Sequence, residues 1–314
     1  MKIAYIITVY HKPEQLVRLI KNLHSANVYF YIHLDKTKDI KIFQSSFDEA
    51  SKIAKVKFLK REDSRWGRWG FTKAMVNGLE EANKELEPFD YIMTLSGQDQ
   101  PIKSNEYIVD FLEKNKGKNF IEHFPMPNPE WNYGGMDRLE HYHFDLLGRE
   151  YSYPTKKKLK SFRDKIFYKA FKLYFKLPRK FPEGLRPFGG SCWFCITGDT
   201  MKYILTYLKE QPEYMKYHRY TYLPDEIFFQ TILLNSKDEN IIQNIVNQNV
   251  IHIEWEGEKH VVVFTGNDFN QLEASDKLFA RKFDLEHDAF ILDLVEQKLL
   301  HQEIAAIDVN KNKI

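Results

Sequence analysis

The first hundred residues alternate between apolar runs of four to eight residues and amphipathic stretches with helical spacing. "KIAYIITVY" reads as a first strand. "KPEQLVRLIKNLHSA" follows it, with Leu16, Leu19, Ile20 and Leu23 on one helical stripe. "VYFYIHLD", "KVKFLK" and "DYIMTLS" read as three more strands, and "DIKIFQSSFDEASKI" and "FTKAMVNGLEEANKEL" as the helices between them. Continuous apolar strands separated by helices imply parallel pairing with both sheet faces covered. The pattern predicts an open, mostly parallel, doubly wound α/β sheet with helices on both faces. A ligand site is expected beyond the carboxyl ends of such strands. The stretches there, Tyr10-His11, Asp35-Lys36 and Ser96 to Asp99, are all polar.

The second half changes character. A loop-rich middle, "PMPNPEWNYGGMDRLEHYHFD", leads into a basic stretch, 156–180, with 11 Lys or Arg and a single acid, Asp164. Phe162, Ile166, Phe167, Ala170, Phe171, Tyr174 and Phe175 recur there at spacings of three and four, which predicts an amphipathic cationic helix. Three readings remain open for it: a core helix with a solvated face, adhesion to an anionic membrane surface, or contact with an anionic acceptor or partner. Further on come "FGGSCWFCIT", "YLPDEIFFQTILLNS", "VIHIEWEGEKHVVVF" and "SDKLFARKFD", with no internal repeat.

Composition narrows the class. A hydrophobic share of 43% and an aromatic share of 15% suffice for a packed core, with fraying expected only in the tail "DVNKNKI". The 46 basic and 44 acidic residues nearly cancel, which argues against a nucleic-acid binder. Cys192 and Cys195 form a C-x-x-C pair, but they sit in an apolar run with no second pair and no His at zinc spacing. They read as buried thiols in a reducing compartment. "MKIAYIITVYHK" turns polar too soon for a secretory signal, and no run of 18 apolar residues occurs, so no spanning helix is expected.

Several stretches carry candidate chemistry. In "LPDEIFFQTILLNS", Pro224 suits a first helical turn, and Asp225 and Glu226 would then sit at a helix N-terminus. A carboxylate held there can act as a general base or simply cap the helix. Arg281 and Lys282 in "LFARKFD", and Lys259 and His260 in "EGEKHVVVF", are paired cations that suit a pyrophosphate or ordinary surface charge. "SRWGRWGFTKA" sets Trp66 and Trp69 beside glycines, which suits stacking on a sugar or base, or packing in the core. In "LSGQDQPIKS", Asp99 has no second carboxylate beside it and makes a poor divalent-ion site.

Together, "AYIITVYHKPEQLVRLIKNL", "YFYIHLDK", "RWGRWGFTKA", "LSGQDQPIKSN", "NFIE", "GGSCWFCIT", "PDEIFFQTILLNS" and "LFARKFD" resemble the core-2/I-branching β-1,6-N-acetylglucosaminyltransferase family, which includes peptide O-xylosyltransferases. The likeness spans roughly residues 3–293. It implies a GT-A type fold, a UDP-sugar donor, inversion at the anomeric carbon and no required metal or other cofactor. One domain is expected over 1–300, with a nucleotide-binding half 1–120, an acceptor and catalytic half 121–300 and a tail 301–314.

Carried over residue by residue, the resemblance makes Glu226 the catalytic base and sets Lys282, with Lys259 where the family has an arginine, on the UDP diphosphate. His260 is the alternative to Lys259. Asp35 falls where relatives hold uridine, and Val9, His11, Trp66, Asp99 and Arg281 join it at the donor. Glu122 matches an acceptor-binding glutamate, with Arg138, Trp193 and Asp225 placed at the acceptor too. Animal members are lumenal, anchored and disulfide-bonded. This chain looks instead like a bacterial relative, expected in the cytoplasm or on the inner membrane face, building a glycan or lipid-linked glycan. The sugar is expected to be N-acetylglucosamine. The alternatives are xylose or another UDP-linked sugar, or a non-catalytic carbohydrate-binding protein on the same fold.

Overall fold

The computed structural model describes residues 1–147, 149–155, 161–175, 177, 179–257 and 260–300. Lys259, the lysines of 156–160 and the tail 301–314 lie outside the described residues.

The apolar runs fold as the pattern predicts. Strands β1 (Ile3–Val9), β2 (Val28–Leu34), β3 (Lys55–Phe58) and β4 (Tyr91–Ser96) alternate with helices α1 (Pro13–Leu23), α2 (Ile40–Ile53) and α3 (Trp69–Ala82). Every residue of β1 and of β4 is buried. A fully buried Ile, Leu or Phe contributes roughly 1.5–3 kcal/mol, so these two strands are the centre of the core. β3, with Lys55 and Lys57 exposed, is the edge. β2 pairs with β1 and β3, and β1 with β4, all in parallel.

Beyond β4 the sheet continues through the strands Phe194–Thr197, Asn119–Ile121 and Ile245–Val246. Phe194–Thr197 runs antiparallel to both neighbours, so the seven-stranded sheet is mixed but parallel-dominated. The chain leaves β1 toward β2 and β3, then returns to the other side of β1 through α3. With right-handed crossovers, α1 and α2 cover one face and α3 the other. The reversal between β1 and β4 is the switch point where such sheets bind ligands.

A second, three-stranded sheet crosses this edge. Asp99–Pro101 pairs antiparallel with Phe279–Arg281, which pairs in parallel with Ile251–Ile253. Gln15 of α1 pins the C-terminal segment there: its Nε2 donates to the carbonyls of Gly97 and Phe283, and its Oε1 accepts from the Leu285 amide. Ile102, Phe264, Phe283 and Ile291 form a separate small core behind the sheet.

Candidate active site

The carboxyl ends of β1, β2 and β4 meet as the switch point requires. The Asp35 amide donates to the Val9 carbonyl, and the Gly97 amide to the Thr8 carbonyl. Tyr10 donates its hydroxyl to Gln98 and lies against His11 with the rings tilted, 4.1 Å between ring centres. Burial lowers the pKa of His11 from its usual value.

Asp35 is almost wholly enclosed, and both carboxylate oxygens are engaged. Oδ1 accepts from the amide and hydroxyl of Thr37, and Oδ2 from the amide and hydroxyl of Ser64. Burial works to raise its pKa, but these bonds outweigh it and hold the carboxyl below its usual value. An ionised carboxylate offers about four acceptor positions. All are taken, so Asp35 fixes the loop that leads to Trp66.

Asp99 is 0% exposed. Its Oδ1 accepts from Arg281 Nη1 at 2.6 Å and from the Ser96 hydroxyl, and its Oδ2 from the Ser96 amide. Burial raises its pKa, against the pull of Arg281. Expected at the donor, it is enclosed here, and its carboxylate holds Arg281. The Arg281 guanidinium also lies 4.5 Å over the ring of Trp193, itself 5% exposed. Arg281 is thus held by a carboxylate, a hydroxyl and an aromatic face, with its side chain 17% exposed. Lys282 follows it, half-buried, its carbonyl accepting from the Phe264 amide.

The "LPDE" stretch departs from the expected helix start. Leu223 takes a left-handed φ of 47°, Pro224–Glu226 form a single 3-10 turn, and the helix begins only at Phe228–Leu234. Ile227, at φ −132°, breaks the two apart. The carboxylates therefore sit one turn ahead of the helix. Glu226 Oε2 accepts from Arg138 Nη1 at 2.5 Å, and Arg138 lies flat on Trp131, 3.6 Å from the ring centre. Burial raises the pKa of Glu226 and Arg138 opposes that rise. Asp225, buried beside it, is raised as well, by burial and then by Glu226.

Gly190 brings Glu122 to this turn. Its amide donates to the Glu226 carbonyl, and a Cβ there would stand 1.9 Å from the Glu122 carbonyl oxygen. Only glycine permits that approach. Glu122 is half-buried; burial and then the Glu226 charge raise its pKa. Gly67 does the same for the tryptophan loop: at φ 75° its carbonyl accepts from the Leu223 amide, under the ring of Tyr222. Trp66, 74% exposed, meets Tyr222 edge-on. Beside it, Asp63, Arg68, Trp69, His143, Asp145 and Arg219 surround a cleft of about 190 Å³.

Cys192 joins the two halves. Read from sequence as a core thiol, it is half-buried; Cys195 is the one in the core. The Cys192 thiol hydrogen-bonds to Asp225, and the charges of Asp225, Glu226, Arg281 and Asp99 all reach it. Burial, then those carboxylates, raise its pKa well above the usual range. The only sequence signal for that role was its position next to Trp193. Ser96 and Ser64, the hydroxyls that fix Asp99 and Asp35, carried no signal beyond their loops. Among the expected residues, Val9 is buried in the sheet and His260 is exposed in a hairpin with Trp255–Glu256.

A family model described as "Branch: Core-2/I-Branching enzyme" matches residues 3–274. Xylosyltransferase oxt of Drosophila melanogaster is 28% identical over 323 residues, covering 94% of this chain and 33% of that protein. Xylosyltransferase 2 of Rattus norvegicus is 26% identical over 326 residues, with the same coverage. The chain spans about a third of the length of these curated relatives. Among solved structures, S. aureus TarS 1–349 in complex with UDP aligns with 87% of this chain and 63% of its own, at 12% identity and a TM-score of 0.36. A further structure of S. aureus TarS aligns with 95% of this chain and 39% of its own, at 11% identity and a TM-score of 0.37. With its family match running through every strand of the central sheet and the Glu226 turn, the chain belongs to the core-2/I-branching enzyme family of glycosyltransferases.

Proposed function

We propose that this chain, in a GT-A type fold, transfers a sugar from a UDP-sugar to a hydroxyl of a glycan by one in-line displacement, without a metal ion. The acceptor oxygen attacks C1 of the α-linked donor. The bond from C1 to the phosphate oxygen breaks, its electron pair leaves with UDP, and the product is β-linked. Glu226 takes the acceptor's proton, a role worth about 10²–10⁴-fold. Arg281 and Lys282 meet the charge growing on the diphosphate; fixed cations are effective there because they need no rearrangement during reaction.

The observation that carries this reading is the Asp99–Arg281 pair at 2.6 Å. The carboxylate at the end of β4 is spent on a guanidinium, so the residue facing the donor edge is a cation. The charges of Glu226 and Arg281 both reach Cys192, which supports reading base and leaving-group cation as parts of one site.

N-acetylglucosamine is the sugar proposed first. Xylose is the second reading, favoured by the two xylosyltransferase relatives. The acceptor is a glycan, which a lipid can carry. UDP release from UDP-N-acetylglucosamine, UDP-xylose, UDP-glucose and UDP-galactose, each in excess EDTA, tests the reading. One donor is expected to release UDP and to raise the melting temperature by mass action. If none does either, the proposal is wrong.

A further inference from the structure

We propose that the outer face of the helix Phe162–Tyr174 docks on an anionic lipid bilayer. The sequence shows one amphipathic pattern here; the structure divides it into two opposite faces. Phe167, Phe171 and Phe175 turn inward onto the hairpin Tyr142–Leu146 and Arg149–Tyr153, with Phe171 against Phe144, Tyr151 and Tyr153. Phe162, Ile166 and Leu173 turn outward, 79%, 50% and 91% exposed. At about 100° per residue these three fall within about 40° of one another, opposite Phe171.

Cations border this strip. Lys165, Lys169 and Lys172 are exposed along one side and Arg163 on the other. The three lysines form no ion pair among the described residues. An apolar strip in water flanked by lysines is the design of a helix that lies in a membrane interface, its apolar side chains below the headgroups and its cations on them. A second copy of this chain fits the strip less well, because both faces would carry the same charge.

The hairpin that the helix packs on lines the cleft through His143, Phe144 and Asp145. The hairpin under the helix holds the tryptophan loop through Asp145 to Arg65 and Arg68, and through Glu150 to Arg68. Docked there, the protein would meet an acceptor on a lipid carrier at the bilayer surface. That last step rests on the transferase reading; the docking itself does not.

Vesicle sedimentation of the full chain tests it, with phosphatidylcholine alone and with about one third phosphatidylglycerol. Binding is expected on the anionic vesicles, weak on the neutral ones, and reduced at high salt. Lys165→Glu with Lys169→Glu should weaken it at least about twentyfold, at about fivefold per lysine. Phe162→Ser with Leu173→Ser should also release the protein. Both variants should keep the wild-type melting temperature and its shift with UDP. No binding to anionic vesicles, equal binding to both kinds, or unchanged binding of the variants overturns the proposal. A solution dimer that the serine variant dissociates, without vesicle binding, assigns the face to a second copy and overturns it too. Loss of the UDP shift in wild type counts against the transferase reading alone.

Discussion

Arg138 donates to Glu226 across 2.5 Å from a guanidinium stacked on Trp131, and so sets the charge beside the carboxylate proposed as base. Enclosure pushes the acid toward its neutral form; the guanidinium pushes it back.

Arg138→Gln removes the second influence and keeps the first. The base then holds its proton to higher pH. The acid limb of the pH profile of kcat/KM should move upward, with turnover below neutral pH falling several-fold and recovering as pH is raised. An unmoved limb separates Arg138 from the protonation of Glu226.

Asp99→Ala leaves the Arg281 guanidinium without its buried partner. Breaking a pair of this kind costs about 3–5 kcal/mol, read as a lowered urea midpoint. Arg281→Lys keeps the charge without the fork, and should weaken UDP about 10–100-fold, the span of one or two charge-assisted hydrogen bonds. UDP titration by calorimetry in EDTA measures it. Unchanged affinity in Arg281→Lys removes Arg281 from the diphosphate.

His218 makes stability sensitive to acid. It is 0% exposed between Tyr214 and Phe228, and neither ring nitrogen has a partner among the described residues. Burial, then the nearby Arg179 charge, hold its pKa well below the usual value. The unfolded imidazole gains its proton near pH 6.5. Stability is therefore complete above that pH and lost as pH falls, because only the unfolded state takes the proton. His33, its pKa lowered to about 4 chiefly by burial, adds a loss of about 3 kcal/mol over the same descent. His218→Leu should leave the urea midpoint at pH 7.5 equal or higher and flatten its fall toward pH 5. An unaltered fall assigns the acid sensitivity to other groups.

Much of this was legible from the residues. β1 to β4 and α1 to α3 start and stop within a few residues of the apolar pattern, because β1, β2 and β4 are buried along almost their whole length and α1 and α2 each bury one stripe. The polar loops after β1, β2 and β4 converge because parallel strands end on one edge. Pairing direction was not legible: "WFCIT" looks the same whether Phe194–Thr197 runs with or against β4. The split of the basic helix into inner and outer faces depends on the hairpin, which the loop-rich middle concealed. The break at Ile227 depends on Leu223 adopting φ 47°, which a leucine does not announce. Asp99 read as a donor-facing carboxylate because its partner, Arg281, lies in another sheet strand far along the chain.

The central claim is that Glu226 deprotonates the acceptor while cations, and no divalent ion, hold the departing nucleotide. The most direct measurement compares wild type and Glu226→Gln in excess EDTA, following both turnover of the productive donor and the dissociation constant for UDP. The account predicts full wild-type turnover, a fall of about 10²–10⁴-fold in the variant, and one shared UDP affinity. Wild-type turnover that vanishes in EDTA and returns with Mn²⁺, or a variant that turns over at the wild-type rate, contradicts it.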